Sequence, residues 1–458
     1  PRMREISQEA RYRQMMEEPV YTLIPRLAVP TIVSMLVTAV YNMADTYFVS
    51  QLGTSPSAAV GVVFSLMTGI QAVAFMIGMG CGNEISRLLG QKEREEAERY
   101  VATGFFTELI AGTLIAIAGI LFSEKLVYLL GSTATIAPYA ASYTRYVLIG
   151  IPFFMASLGM NNMLRFQGNS FYSMIGIATG GILNMFLDPL LIYGFHMGIA
   201  GAAVATSVSQ MISFCILVWQ CNCMPACLSI RLRRFQPALS RYANIFRFGL
   251  PSLARQGIAS VAVIVTNFAA QPYGDAAIAA IAIVSRVAMF MNSAIIGFGQ
   301  GFQPVCGFNY GAKNYKRVEE AYQFSLRVCF VALLFMGVGS FLNAERIVML
   351  FQRDPKVVEI GTRALQLQAC TIPLAAQITM ANMFSQTTGY NFRATVVALL
   401  RQGICLLPVL LVLPRIFGLA GIQSAQPVSD IFSAIIAFLI TKSILDEMRQ
   451  KTAERESQ

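Results

Sequence analysis

The second half of the chain repeats the first at a fixed displacement of 221 residues. Arg26 and Pro30 recur as Arg247 and Pro251, Gly53 as Gly274, and Gly78 and Gly80 as Gly299 and Gly301. Gly90 and Lys92 recur as Gly311 and Lys313, and Pro152, Asn161 and Gly168 as Pro373, Asn382 and Gly389. Each copy holds six apolar runs. They lie near 27–49, 58–82, 100–122, 141–164, 173–195 and 199–220, then near 246–270, 276–303, 322–342, 364–388, 394–416 and 419–441. A run of about 20 apolar residues crosses a hydrocarbon core of about 30 Å. Backbone polar groups at that depth must be satisfied within the chain, which favours helices. The expected fold is all-α: a polytopic membrane protein with twelve transmembrane helices in two pseudo-symmetric six-helix lobes. An even number of helices per lobe returns the chain to the same side. The lobes are then parallel repeats about an axis along the membrane normal, an architecture suited to alternating access.

Composition agrees. Of 458 residues, 55% are hydrophobic and 13% charged, against about 25% charged in soluble domains, which excludes a soluble α/β fold. The spans divide the chain into an N-terminal cytoplasmic or interfacial segment (1–25), an N-lobe (26–220), a cytoplasmic linker (221–245), a C-lobe (246–441) and a cytoplasmic tail (442–458). The net charge of +10 would suit nucleic acid, but its placement speaks against that. Most Lys and Arg fall in the N-terminus, the even-numbered loops and the C-terminus, as in Arg2, Arg4, Lys92, Arg231, Arg241, Lys313 and Lys442. The positive-inside rule then puts both termini in the cytoplasm. Charged stretches after spans two and eight, Gly90–Arg99 and Gly311–Glu320, read as short amphipathic helices on the inner leaflet.

A carboxylate at the centre of a span costs roughly 2.5–3.5 kcal/mol on insertion scales, so acids that occur there invite a functional reading. Asp45 lies in the last third of span one and Asp188 in span five. Asn184 sits four residues before Asp188, on the same helix face. Neither acid recurs in the second half, where Thr266 stands 221 residues beyond Asp45. The bland alternative places both acids at the outer interface, in reach of water. With Asn184 and the Thr206 of span six, they offer carboxylate, amide and hydroxyl oxygens for a hard cation. Two close, desolvated acids can also share or exchange a proton. Arg255, Arg286 and Arg401 fall within second-half spans, with Gln256 and Asp430, and are expected to form a buried ion-pair network that includes an Arg–Asp430 pair. Met289 and Met291, or Met76 and Met79, offer polarizable surface for a promiscuous cavity, although most methionines are expected in the core or against lipid.

Other chemistry is not indicated. Nine cysteines, mostly within spans or near the cytoplasmic side, describe no disulfide framework. Cys221, Cys223 and Cys227 lack a fourth zinc ligand. His196 reads as a surface residue. No phosphate-binding Gly-x-x-x-x-Gly-Lys-[Ser/Thr] motif occurs, and no hydrolytic constellation is evident, so no enzymatic activity is expected.

Several motifs together resemble the multidrug and toxic compound extrusion family over roughly residues 20–450. They are Asn42-Met43-Ala44-Asp45-Thr46-Tyr47-Phe48-Val49, Leu164-Arg165-Phe166-Gln167-Gly168-Asn169, Gly198-Ile199-Ala200-Gly201-Ala202-Ala203 and Gly297-Phe298-Gly299-Gln300-Gly301-Phe302-Gln303-Pro304. Pro272-Tyr273-Gly274-Asp275-Ala276-Ala277 and Arg401-Gln402-Gly403 are similar to the bacterial MepA-like branch. The resemblance implies export of varied organic, often cationic compounds driven by an inward H+ or Na+ gradient. It implies a cation site at Asp45, Asn184, Asp188 and Thr206, and cavity-lining roles for Tyr41 and Asn161. Arg255 and Gln256 stand where another branch has an acid, which argues against an ion site in the C-lobe.

The expectation is thus a secondary active multidrug efflux transporter of the cytoplasmic (inner) membrane. It needs no cofactor beyond the coupling ion, binds small-molecule drugs but no nucleic acid, and acts as a monomer in the lipid bilayer. Within transporters the alternative is a lipid-linked oligosaccharide flippase of the wider superfamily, disfavoured by the span count and the acidic N-lobe. From another class the alternative is a membrane receptor or enzyme.

Overall fold

A computed structural model describes residues 2–458, leaving aside the Ser57 side chain. The chain folds as two compact units. The first comprises the residues up to Glu18 together with Val29–Gly249, and the second Pro19–Ala28 together with Leu250–Gln458. The first unit carries α1 (Arg2–Glu17), most of α2 (Val20–Ser50), α3 (Thr54–Gly90), α4 (Arg94–Leu121), α5 (Ser123–Leu129), α6 (Ala137–Ile149), α7 (Ile151–Phe166), α8 (Ser170–Pro189), α9 (Ile199–Cys223) and the start of α10 (Leu239–Ala270). The second carries the rest of α10, α11 (Asp275–Gly311), α12 (Tyr315–Leu342), α13 (Ala344–Phe351), α14 (Pro355–Thr371), α15 (Leu374–Thr387), α16 (Asn391–Leu399), α17 (Leu406–Phe417) and α18 (Leu419–Glu456). No strand occurs among the described residues, as the apolar runs require.

The duplication is visible in backbone geometry. Gly53 and Gly274 take φ of 122° and 91°, Gly168 and Gly389 take 89° and 84°, and Lys92 and Lys313 take 60° and 61°. The Asn161 side chain donates to the Ser173 carbonyl (3.2 Å), and its counterpart Asn382 donates to the Ala394 carbonyl (3.0 Å). Both donors and both acceptors stand 221 residues apart. Gly198 and Gly418 open α9 and α18 with nearly identical φ of 63° and 64°. A side chain in that conformation costs about 1–3 kcal/mol, and nothing lies within 4 Å of where a Gly198 Cβ would stand. Gly198→Ala therefore isolates backbone strain and is expected to lower the melting temperature of the purified protein. Gly61→Ala, in open space within α3, is expected to raise it through a gain of about 0.4–1 kcal/mol.

Two span expectations need correction. Ten helices, counted among the described residues, are long and apolar enough to cross a membrane, and an eleventh span is a bent pair. The 141–164 run is that pair, α6 and α7, bent by 52° at Gly150. The 364–388 run is split between α14 and α15 by Ile372 and Pro373, where the proline removes a helical hydrogen bond. Nor do the charged stretches after Gly90 and Gly311 form separate surface helices. A tight turn closed by Glu93 N–H to the Leu88 carbonyl (2.9 Å), matched by Asn314 to Asn309 (2.9 Å), leads straight into α4 and α12. Glu96 is held by Arg99 (3.0 Å) and by Arg241 (2.7 Å), so the charges anchor the helix end instead of lying along the surface.

Small residues set helix spacing where backbones nearly touch, as is usual in membrane bundles. A Cβ on Gly112 of α4 would lie 2.6 Å from Pro152 Cα of α7. At one end of the first unit α1 docks on the loops: Met15 is fully buried, Arg11 donates to Asn169 Oδ1 (3.0 Å), and Lys92 lies 4.6 Å over the Tyr12 ring. Nearby, burial pushes the Cys227 thiol up to about 12, so this loop cysteine is a neutral thiol at ordinary pH.

Candidate functional site

The site grows from the apposition of α2 and α8. Gly181 of α8 leaves room for the neighbouring helix: a Cβ there would stand 2.9 Å from Tyr41 Cδ1 and 3.0 Å from Val37 Cγ1. Beyond Asp188 the helix widens into a π-helical turn, Leu190–Gly194, a device often found at functional sites. Tyr193 in that turn donates to the Phe48 carbonyl (2.8 Å) and lies 3.2 Å from Gln51 Oε1. The two helices are thereby fixed to one another on both sides of the acids.

Between these fixings the structure brings Asp45 and Asp188 together, their carboxyl groups within hydrogen-bonding reach of each other. Asp188 is fully buried. Neither of its oxygens, nor Asp45 Oδ1, nor Asn184 Oδ1, meets a donor. Tyr41 lies within electrostatic reach of Asp45, and Tyr143 of α6 within reach of Asp45, Asp188 and Tyr41. Two carboxylates in contact repel, and burial penalises both charges. A proton or a cation between them relieves both costs. The unpartnered oxygens therefore mark a place for positive charge.

The remaining candidates are less central. Thr206 is half-buried on α9, and its hydroxyl donates to the Ala202 carbonyl (3.1 Å), leaving the oxygen lone pairs to accept or ligate. Asn161 commits its amide nitrogen to the Ser173 hydroxyl (2.5 Å) and carbonyl, pinning α7 to α8. Met289 is 67% exposed on α11, an outward position on its own unit. Tyr143 is a site neighbour that the sequence reading did not single out. It is one of three closely spaced tyrosines, Tyr139, Tyr143 and Tyr146, and nothing in their spacing distinguishes it.

The second unit uses its charges differently. Asp430 is fully buried and accepts from Arg401 Nε (2.8 Å), Gln426 Nε2 (2.9 Å) and Gln368 Nε2 (2.9 Å). Arg401 itself lies in a second π-helical turn, Leu400–Ile404. The expected Arg–Asp430 pair is present, but the wider arginine network is not. Arg255 donates to Asn382 Oδ1 (3.2 Å) instead of to an acid, and Arg286 is exposed. Asp430 has donors in full and Asp188 has none, which separates a structural acid from one open to a ligand.

Comparison with known proteins agrees with this geometry. A family model described as MatE matches twice, over residues 30–190 and 251–412, once in each copy of the internal repeat. The multidrug export protein MepA of Staphylococcus haemolyticus (strain JCSC1435) is 25% identical over 440 residues, covering 94% of this chain and 95% of its own. MepA of Staphylococcus aureus (strain MRSA252) is 26% identical over 443 residues, covering 96% and 97%. Among solved structures, an outward-facing MATE family transporter of the MOP superfamily superposes with a TM-score of 0.90 at 25% identity, covering 95% of this chain and 98% of its own. A MOP superfamily transporter from Pyrococcus furiosus gives 0.89 at 25%, with the same coverage. The chain belongs to the MatE family of membrane transporters.

Proposed function

We propose that the protein is a secondary active multidrug efflux transporter, exporting organic, often cationic compounds in exchange for H+ or Na+ by alternating access. The observation that carries this reading is the approach of half-buried Asp45 to fully buried Asp188, with Asp45 Oδ1 and both Asp188 oxygens lacking a donor. Such a pair binds positive charge, but not two positive charges equally well at once. A proton or Na+ entering it removes the negative charge that an organic cation would pair with. Exchange follows if ion and drug have opposite differential affinities for the two facing states. The oxygens of Asp45, Asp188, Asn184 and Thr206 form a donor set for Na+, and the carboxyl pair alone suffices for H+. Tyr41 and Asn161 border the drug on this reading, and Met289, exposed on the second unit, is a separate candidate for a soft contact. The names of the MepA relatives, multidrug export proteins, support the drug side. The protein resides in the bacterial inner membrane as a monomer with both termini cytoplasmic, and works without cofactor or catalysis.

Purified protein in liposomes, loaded with a cationic dye, provides the test. Imposing an inward pH gradient or an inward Na+ gradient separately is expected to drive dye efflux under at least one of them. Absence of gradient-driven efflux across a panel of cationic dyes overturns the reading.

A further inference from the structure

The first unit holds another acid at membrane depth. Glu108 is the fifteenth residue of the 28-residue α4, midway along a helix that spans the bilayer. It is fully buried, and neither carboxyl oxygen meets a side-chain donor. Its carboxyl rests on Gly159 of α7, where a Cβ would lie 2.7 Å from the carboxyl carbon and from both oxygens. The Gly159 backbone N–H, within hydrogen-bonding reach of the carboxyl, also serves its own helical turn. One turn before Glu108, Gly104 faces Cys81 Sγ and Met163 Sδ, at 2.7 and 3.4 Å from its would-be Cβ. One turn beyond Gly159, Asn162 Nδ2 is buried and also lacks a partner.

This surrounding discriminates among cations. Na+ needs several oxygen ligands, whereas this carboxyl is set against the Gly159 backbone, with the Cys81 thiol within electrostatic reach. An organic cation needs room that the Gly159 contact denies. A proton needs one lone pair. A bare carboxylate in such a place is costly, so the group rests there with its proton and gives it up only transiently. We propose that Glu108 is a second proton-carrying site, distinct from the Asp45–Asp188 pair, on the path by which coupling protons reach the basic end of the N-terminal unit. The proposal rests on the antiport reading above and makes the coupling ion a proton.

Further titratable groups lie towards the basic end. Cys81 of α3 lies within electrostatic reach of both Glu108 and Glu84. Glu84 pairs with Arg87 (3.2 Å) and lies within reach of Glu96 and Arg247. Glu96 in turn is held by Arg241 and Arg99 at the end of α4. From Glu108 to Glu96 is about 18 Å of helix. Of the other elements packed against α4, α7 contributes Arg165, whose guanidinium bonds Asn162 Oδ1 (2.9 Å). The start of α10 contributes Tyr242, 2.9 Å from the Thr107 hydroxyl, and α6 contributes Tyr143 and Arg145. As Glu108 is loaded, an O–H bond breaks at the donor and one forms at a Glu108 oxygen; as the proton moves on, that bond breaks and a new O–H forms at the Glu84 carboxylate, leaving Glu108 ready for the next proton. No electrons change hands.

Infrared spectroscopy of the reconstituted protein, combined with liposome transport, tests this. Wild type at neutral pH is expected to show the carbonyl-stretch band of a neutral, weakly hydrogen-bonded carboxylic acid. The band should persist in the D45N/D188N double variant and vanish in E108Q. Efflux driven by a pH gradient should fall roughly 100-fold in E108Q and recover in part in E108D, at unchanged protein abundance. Absence of the band from wild type, or wild-type transport by E108Q, overturns the proposal; the spectrum needs no variant, so a misfolded E108Q does not spare it. If wild-type liposomes show no pH-driven efflux although the band is present, proton antiport has failed rather than the protonation of Glu108, and the relay falls with it.

Discussion

Asp188→Asn is expected to reduce drug efflux to the level of membranes lacking the protein, while the protein remains in the bilayer at wild-type abundance. The side chain keeps its shape and volume, so packing around the fully buried position changes little. What disappears is the charge. With a carboxamide at this site, entry of a proton or Na+ no longer alters the binding of an organic cation, and a ligand without differential affinity shifts no equilibrium. A gradient of one pH unit offers about 1.4 kcal/mol per proton, and the variant can convert none of it. Asp45→Asn should behave alike, because the two carboxyls lie within hydrogen-bonding reach of each other and act as one unit. The double variant should then be no worse than either single one, the non-additivity expected of groups that work together. Resistance assays with membrane quantification decide this: full drug resistance in both single variants would contradict it.

The second large effect is on stability, and it arises in the other half. Arg401→Met should destabilise the protein by about 3–5 kcal/mol, because it leaves Asp430 charged and buried with its principal counter-charge gone. Two glutamines still donate to Asp430, but amides do not neutralise it. Adding Asp430→Asn to Arg401→Met should restore much of the loss, since the second change removes the stranded charge. Melting temperatures of the purified proteins give the comparison. A single variant as stable as wild type would show that the pair is not structural. The two predictions separate cleanly: at Asp188 transport goes and the fold stays, whereas at Arg401 the fold weakens first.

Much of the architecture was legible because membrane helices obey a simple length rule and the repeat preserves turn geometry. Gly53 and Gly274, or Lys92 and Lys313, stand at a fixed displacement in the sequence and share left-handed backbone in the structure. The helix breaks were less legible. The bend at Gly150 and the division before Leu374 depend on how each half-helix packs, and apolar runs carry no record of that. The charges after Gly90 suggested a surface helix because their partners Arg234 and Arg241 lie far along the chain.

At the site, Asp45, Asp188 and Asn184 announced themselves as polar groups at membrane depth, and their convergence follows from Gly181 and Tyr193 holding α2 to α8. Tyr143 did not, since its approach to the acids depends on the bend after α6. Glu108 was equally visible as an acid inside the 100–122 run. No second acid stands with it in that run, so nothing in the sequence pairs it with a partner. Arg255 and Arg286 show the converse: both are charged residues within spans, yet one bonds an asparagine and the other is exposed.

The most direct test of ion–drug exchange is proton release on drug binding. Purified protein in weakly buffered detergent, without Na+, is mixed with a cationic dye that it exports, and the pH is followed alongside dye binding. Exchange by protons predicts about one proton released per dye bound, with release lost in the D45N/D188N double variant. Release replaced by Na+ displacement in Na+ medium would assign the other coupling ion. Dye binding that displaces neither ion, or displacement unchanged when both aspartates are gone, would contradict the claim that this buried pair trades an inorganic cation for an organic one.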